Sequence, residues 1–385
     1  MAGALRYAMI GGGPGSFIGP VHRAALREDA LATLVAGAFS RDPEKNARAG
    51  EELALEPQRV YADGFELLAH ERGQLDFVTV CTPNDSHFAL TRAALEAGFS
   101  VMCEKPLSLT RAEAEELCEL AARRRLVLGV PFTYAGFPMV KLARDLVRRG
   151  ELGRVVKVAV GYAQGSFRKL DFTRELDARM AWKMDPSRSG PSCVVADIGV
   201  HAAHLAECVT GLEITSVLAD LSTYAPGNRL DDDASLLVRL GTGRAECGAP
   251  GTTVAKGVLT VSKIAAGEEN ALELTVFGER STLRWSLRTA DELTLAFPFE
   301  PVRVYRRNAR GFANLSGDAA AACRLPCGHP EGFIEALANH YRGFAAAVRG
   351  AGGGDFPTGR EGLRTMRLVE AALASARAGG VWTPV

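Results

Sequence analysis

Through about residue 130 the chain alternates short apolar runs with longer stretches whose apolar positions recur at helical spacing. The runs "LRYAMI" (5–10), "LATLVAGAFS" (31–40), "LDFVTVCT" (75–82), "FSVMCE" (99–104) and "RLVLGV" (125–130) are short and rich in Val, Leu and Phe, which predicts strands. Between them "GPVHRAALRE", "DPEKNARAGEELAL", "NDSHFALTRAALEAG" and "LTRAEAEELCELAARR" carry helix formers, with Asp42 and Asn84 as starting caps and Gly98 as a stop. Apolar strands alternating with helices imply a parallel sheet covered on both faces, an α/β fold.

The rhythm changes near residue 131. "PMVKLARDLVRRGELG" predicts a helix and "RVVKVAVGYAQG" a strand; the polar stretch 166–191 then leads into an apolar helix, "SCVVADIGVHAAHLAECVTG". The segments "ITSVLADLSTY", "ASLLVRL", "GVLTVSKI" and "LELTVFG" alternate, and glycine breaks such as "LGTGR" separate them, as in hairpins of an antiparallel or mixed sheet. Residues 307–328 read as an irregular loop, and two helices around 330–350 and 359–380 close the chain. The expected division is a dinucleotide-type domain at 1–130, an α+β domain with a large open-faced sheet at 131–358, and a C-terminal helix at 359–385.

Composition narrows the function classes. Lys+Arg and Asp+Glu both number 45 in 385 residues, so there is no basic field to hold nucleic acid or an anionic membrane. The first residues lack the pattern of a secretory leader and no run approaches a membrane span, which points to the cytoplasm. The eight cysteines are mostly isolated in apolar runs and read as free buried thiols; Cys323 and Cys327 have no second pair to complete a zinc site, so no metal is expected. The run Asp231-Asp232-Asp233 reads as a solvated acidic turn.

The candidate chemistry begins with "GGGPGSFIG". Gly11 and Gly13 fit the start of a G-x-G-x-x-G phosphate loop, but Ser16 occupies the third position and the next glycine is Gly19, making the loop about three residues longer than the minimal form. Gly15, Ser16, Phe17 and Ile18 complete the candidate cradle. At the end of the second strand, Ser40, Arg41 and Asp42 are candidates for the adenosine ribose, with Asp42 alternatively a plain helix cap. A lone arginine there favours NAD over NADP.

Two further motifs turn a binding domain into an enzyme. Glu104-Lys105-Pro106 follows the "SVMC" strand, at the carboxyl edge where ligands bind in such sheets. Asp197-Ile198-Gly199-Val200-His201 lies in a helix, and its Asp and His, four residues apart, share a face. With the glycine loop, "CTPNDSH" and "GELGRVVKV", these motifs resemble the Gfo/Idh/MocA oxidoreductases, in a branch acting on sugars or glycosides. The resemblance implies a Rossmann domain for NAD or NADP and a second domain for a carbohydrate-like substrate and a homodimer or homotetramer contact.

It also implies that Lys105 and His201 meet at the reacting carbon with Asp197 beside them, oxidising a secondary ring hydroxyl; which of the two bases takes the proton is open. Thr82, Pro83, Asn84, His87 and Glu104 are expected on the cofactor side, with His87 alternatively on a helix surface, as are Trp182 and Lys183, where the family has Trp-Arg. Tyr134, Tyr162, Gln164 and His329 are expected sugar contacts, and His204 a structural residue. A glycoside-cleaving enzyme that keeps its nicotinamide bound, or a dinucleotide-sensing regulator, stays open at this point.

Overall fold

The computed structural model describes residues 3–166, 182–242 and 254–385; most of the polar stretch 166–191, and Cys247, fall outside them. The chain divides into two units, one of residues 1–133 and 337–366, the other of residues 134–336 and 367–385. This differs from the expected boundaries, because part of the region assigned to the second domain belongs with the first.

In the first unit, β1 (Leu5–Gly11), β2 (Ala32–Ala38), β3 (Phe77–Cys81), β4 (Ser100–Cys103) and β5 (Leu128–Gly129) form a parallel sheet in the order β2-β1-β3-β4-β5. Every residue of β3 and β4 is buried, as the unbroken apolar runs required. The helices α1 (Ile18–Glu28), α2 (Pro43–Glu52), α3 (Gly64–His70), α4 (His87–Glu96) and α5 (Arg111–Arg124) fill the crossovers. Asp42 caps α2, its carboxylate accepting the Glu44 and Lys45 N–H groups, and Thr110 with Glu113 forms a capping box on α5. The sequence reading missed α3, whose seven residues are too few to display a helical period. The helix Phe333–Val348 contributes Tyr341 and Phe344 to this core, where Phe344 packs edge-on to Phe77 at 5.2 Å and Phe77 stacks on Tyr7 at 5.3 Å.

In the second unit a nine-stranded sheet runs β13-β12-β11-β10-β6-β9-β8-β7-β14, with β6 (Val155–Ala163), β7 (Glu213–Ser222), β8 (Asp233–Gly241), β9 (Ala255–Ser262), β10 (Ala271–Gly278), β11 (Thr282–Ser286), β12 (Glu292–Ala296), β13 (Arg303–Arg306) and β14 (Thr383–Pro384). Only β6 and β9 pair in parallel; the other neighbours are antiparallel. Burial alternates strictly along β8 and β9; the helix Val200–Thr210 packs over β6, β7, β9 and β10, and α6 (Pro138–Arg148), beside it, over β11 and β12.

Two expectations are corrected here. The region 307–328 holds two short helices, Phe312–Leu315 and Gly317–Ala321, the second capped by Ser316. The acidic run is not solvated, since Asp231 is 7 % exposed and Asp232 fully buried. Both carboxylates are satisfied by main-chain N–H groups, Asp232 by those of Tyr224 and Ala225 at 2.8 Å each.

Candidate active site

The first unit supplies a loop shaped by close backbone approach. Gly11, Gly12 and Gly15 have φ of 81°, 70° and 82°, the left-handed region that glycine occupies without strain. A Cβ on Gly13 would stand 2.6 Å from the Phe39 carbonyl oxygen, and one on Gly19 would strike the Gly12 backbone at 2.2 Å. Gly19 is thus the glycine that lets α1 pack onto the loop, and the unusual spacing is a longer loop with the packing glycine displaced. Ser16 accepts the Gly19 N–H at 3.2 Å, at the start of α1. Nothing lies within 4 Å of a Cβ on Gly15, so the outer rim is open where a helix N-terminus faces outward. An open glycine rim at a helix start suits a dinucleotide's phosphates. Phe17 is 76 % exposed on this rim, while Ile18 packs against the core.

At the end of β2, Asp42 is occupied as the α2 cap and Ser40 Oγ accepts the Asp42 N–H at 3.1 Å, while Arg41 is exposed. Asn46 holds this turn by accepting the Phe39 N–H at 2.8 Å and donating to Tyr61 O at 2.8 Å; no motif singled it out.

The Glu104-Lys105-Pro106 turn is fastened on both sides. Glu104 is buried; Oε1 lies 2.8 Å from His22 Nε2, and Oε2 accepts the Lys105 N–H at 3.0 Å. Burial alone would raise the Glu104 carboxyl, but the hydrogen bond and charge of His22 outweigh it and hold it below the usual range. Both Glu104 oxygens are thus engaged within the fold, where the carboxylate supports the Lys105 main chain. His87 is likewise buried rather than facing a ligand with its nitrogens: Nδ1 lies 2.7 Å from Pro106 O and Nε2 2.8 Å from Thr82 O. It ties the turn to the Thr82-Pro83-Asn84 segment, where Ser86 Oγ donates to Thr82 Oγ1 at 2.8 Å and Asn84 is buried. Burial lowers the His87 pKa against the two carbonyl contacts, which favour the charged ring.

The second unit gathers another cluster. Asp197 sits in a single π turn, Val195–Gly199, that leads directly into the helix bearing His201 and the buried His204. Such turns are concentrated at functional sites. Asp197 Oδ2 accepts from Lys183 Nζ at 2.7 Å and from Lys263 Nζ. Lys183 also lies over the Trp182 ring at 5.9 Å, so the lysine that replaces the expected arginine serves the carboxylate. Lys263 was missed by the sequence reading. Its signal was available, since 255, 257, 259, 261 and 263 are all buried and a lysine falls on the inward face of β9's alternation.

Tyr134, Tyr162 and Gln164 are brought together with Asn270. Asn270 Nδ2 donates to Tyr134 Oη at 3.0 Å and Tyr162 Oη donates to Asn270 Oδ1 at 2.6 Å, which leaves Tyr134 as donor across the 2.5 Å between the two hydroxyls. Gln164 Nε2 donates to Asn270 Oδ1 at 2.8 Å. This closed ring stands beside His201, whose imidazole meets Tyr134 edge-on at 5.0 Å and Tyr162 at 6.3 Å. Burial pushes the Tyr162 hydroxyl far up, so it stays protonated. His329 is different: its ring is exposed on a loop whose main chain is held by the buried Arg307. Among the described residues no group of His, Cys, Asp or Glu is arranged to hold a metal ion, and no helix is long and apolar enough to cross a membrane.

A parallel sheet with this glycine loop, followed by an α+β unit carrying a His–Asp–Lys cluster, defines a dinucleotide-dependent oxidoreductase as the class. Residues 5–132 match the oxidoreductase family with an NAD-binding Rossmann fold, and residues 140–284 the GFO/IDH/MocA C-terminal domain. The chain is 31 % identical to the uncharacterized oxidoreductase YfiI of Bacillus subtilis, over 98 % of this chain and 96 % of that one. It is 28 % identical to levoglucosan dehydrogenase of Pseudarthrobacter phenanthrenivorans, over 81 % and 80 % of the two. An inositol dehydrogenase homolog from Azotobacter vinelandii, solved with NAD+, superposes with a TM-score of 0.92 at 34 % identity, covering 100 % of this chain and 98 % of that one. The same homolog solved with NADH and myo-inositol gives 0.90. The chain belongs to the Gfo/Idh/MocA family and is an NAD(P)-dependent oxidoreductase.

Proposed function

We propose that this enzyme oxidises a secondary ring hydroxyl of a sugar, glycoside, aminoglycoside or cyclitol to a ketone, with NAD favoured over NADP. The observation that carries the reading is the pair of intact, internally supported motifs: Lys105 fastened by Glu104, and Asp197–His201 anchored by two lysines. The relatives solved with NADH and myo-inositol, or named for levoglucosan, support the substrate class. NAD is favoured because the β2 turn offers a single arginine, Arg41, to face a 2′-phosphate.

Removing hydride from carbon requires the hydroxyl to lose its proton as it becomes a carbonyl, and the nicotinamide supplies the hydride acceptor when bound. In this reading the neutral His201 imidazole accepts that proton, its unperturbed pKa of about 6.5 being suited to neutral pH. The Lys105 ammonium donates a hydrogen bond to the same oxygen and stabilises its developing negative charge. Asp197 orients hydroxyls around the reacting centre, and Gln164 is the polar group at the edge of the tyrosine ring best suited to bond a further one. The second unit's open sheet face serves a homodimer or homotetramer.

The test is reduction of NAD and of NADP across inositols, free sugars, glycosides, aminoglycosides and anhydrosugars, followed by Lys105→Ala on the best substrate. Expected is NAD-dependent ketone formation that drops by about three orders of magnitude in the variant while NAD affinity holds. Undiminished turnover by Lys105→Ala, or no turnover of any polyol, overturns the reading.

A further inference from the structure

Lys263 follows the last residue of β9, is fully buried, and bonds Asp197 Oδ2 through its ammonium. Its main-chain N–H donates to Asp232 O at 2.8 Å, which fixes the backbone behind it. A buried ammonium is tolerated only against a compensating charge, and an apolar residue would fit the inward face of a strand at less cost. A fixed positive charge beside Asp197 therefore calls for an account that packing does not give.

We propose that Lys263 is a positioning residue of this site: it holds the Asp197 carboxylate ionised and in one orientation, and offsets the negative charge that Asp197 places near His201. The proposal rests on His201 being the proton acceptor. A carboxylate four residues before an imidazole favours the charged ring, and a protonated His201 has no lone pair with which to take the alcohol proton. Ammonium groups on that carboxylate reduce the bias.

The surrounding groups support this assignment. Lys263 faces Asp197 from the π turn, Cys193 from the segment before it and Asp231 from the turn before β8, while Lys183 reaches the same Asp197 oxygen. His201 faces Tyr134 and Tyr162. Burial pushes the Cys193 thiol up to about 12 and the Tyr162 hydroxyl far up, so these two carry no charge near neutral pH. Burial would lower Lys263 itself, but the Asp197 charge and hydrogen bond outweigh it and keep the ammonium protonated. Side-chain exposure is 0 % for Lys263 and 24 % for Lys183, so solvent screens the second charge more and the first dominates.

The experiment follows the His201 imidazole by NMR in the full chain with 13C-labelled histidine, its signal assigned by loss in His201→Gln, titrated without substrate. Lys263→Met is expected to raise the His201 pKa by about one unit, Lys183→Met by less, and Asp197→Asn to lower it. The acid limb of kcat/KM moves upward with Lys263→Met by the same amount, which loss of packing alone does not produce. If Lys263→Met fails to fold, Lys263→Gln and Asp197→Asn carry the test. A His201 titration unmoved in the Lys263 variants, or in Asp197→Asn, overturns the proposal. The two readings separate: turnover with an unmoved His201 removes Lys263 and keeps the enzyme's function, whereas a shifted His201 in a chain that oxidises no polyol does the reverse.

Discussion

Glu104 and His22, 82 positions apart, form a buried pair, Oε1 to Nε2 at 2.8 Å, and the other His22 nitrogen lies 2.6 Å from the Tyr341 hydroxyl. The same carboxylate accepts the Lys105 N–H, so α1 and the helix Phe333–Val348 brace the residue expected to touch the reacting oxygen. Glu104→Ala leaves His22 without its carboxylate and frees the turn. Truncating one member of a buried pair costs about 3 kcal/mol, and loosened placement of Lys105 costs roughly tenfold or more in turnover. Urea unfolding and steady-state kinetics measure both, with NAD affinity expected to change little. A variant as stable and as fast as the parent contradicts this role.

The glycine loop separates two kinds of glycine. Gly19→Ala drives a methyl into the Gly12 backbone at 2.2 Å, which no rotamer relieves. It is expected to cost about 2 kcal/mol or more and to displace α1 from the loop, abolishing measurable NAD binding. Gly15→Ala meets no atom within 4 Å and pays only for its positive φ, roughly 1 kcal/mol. Calorimetric melting and NAD titration of the two variants compare them; equal losses of stability would show that the packing role is wrongly placed.

Much of the first unit was legible because its strands are buried on both faces, so unbroken apolar runs such as "FVTVC" announce themselves. The Glu104-Lys105-Pro106 and Asp197…His201 motifs were legible as well, being contiguous and carried by a family resemblance. What escaped were partnerships made across the chain. His22 with Glu104, and Asp231 with the segment 192–195, pair residues 82 and 36 to 39 positions apart, and no local period encodes them. The acidic run was misread for the same reason: three adjacent carboxylates suggest solvent until the buried N–H groups that donate to two of them are known. Asn270 carried no sequence signal, lying in a polar turn before β10 and acting only once β6 brings Tyr162 and Gln164 to it.

His87 makes stability pH-dependent in a definite window. Burial lowers its pKa in the fold below the usual 6.5, so below that value the unfolded chain takes up a proton that the folded ring refuses. Stability therefore falls as pH drops through about 6.5 and levels off once the folded ring also titrates. Glu104 acts in a lower window: its folded pKa is depressed, so its contribution is full above the unfolded value and is lost only as pH falls through the folded one. Thermal melts between pH 8 and 5 are expected to show a decline that is shallower in His87→Gln, whatever that variant's absolute stability. An identical slope in the two proteins rules His87 out as the titrating group.

Asp231 should be as important to the second unit as any residue that touches substrate. Its carboxylate accepts the N–H groups of Cys193, Val194 and Val195 at 3.0–3.1 Å and the Ser192 hydroxyl at 2.8 Å. These are the donors that precede and open the π turn, which have no intrahelical partner. A negative charge there also complements the dipole of the helix carrying His201. Asp231→Ala leaves several buried donors unsatisfied at about 1–3 kcal/mol each, partly relieved by water, so a loss of about 3 kcal/mol is expected. Asp231→Asn keeps one acceptor oxygen but turns an amide NH2 toward donors, and should fall between the two. Because the turn sets Asp197 and His201, kcat should fall further than KM rises in Asp231→Asn at temperatures where the variant remains folded. A Asp231→Asn enzyme with unchanged kcat and lowered melting temperature would confine Asp231 to stability alone.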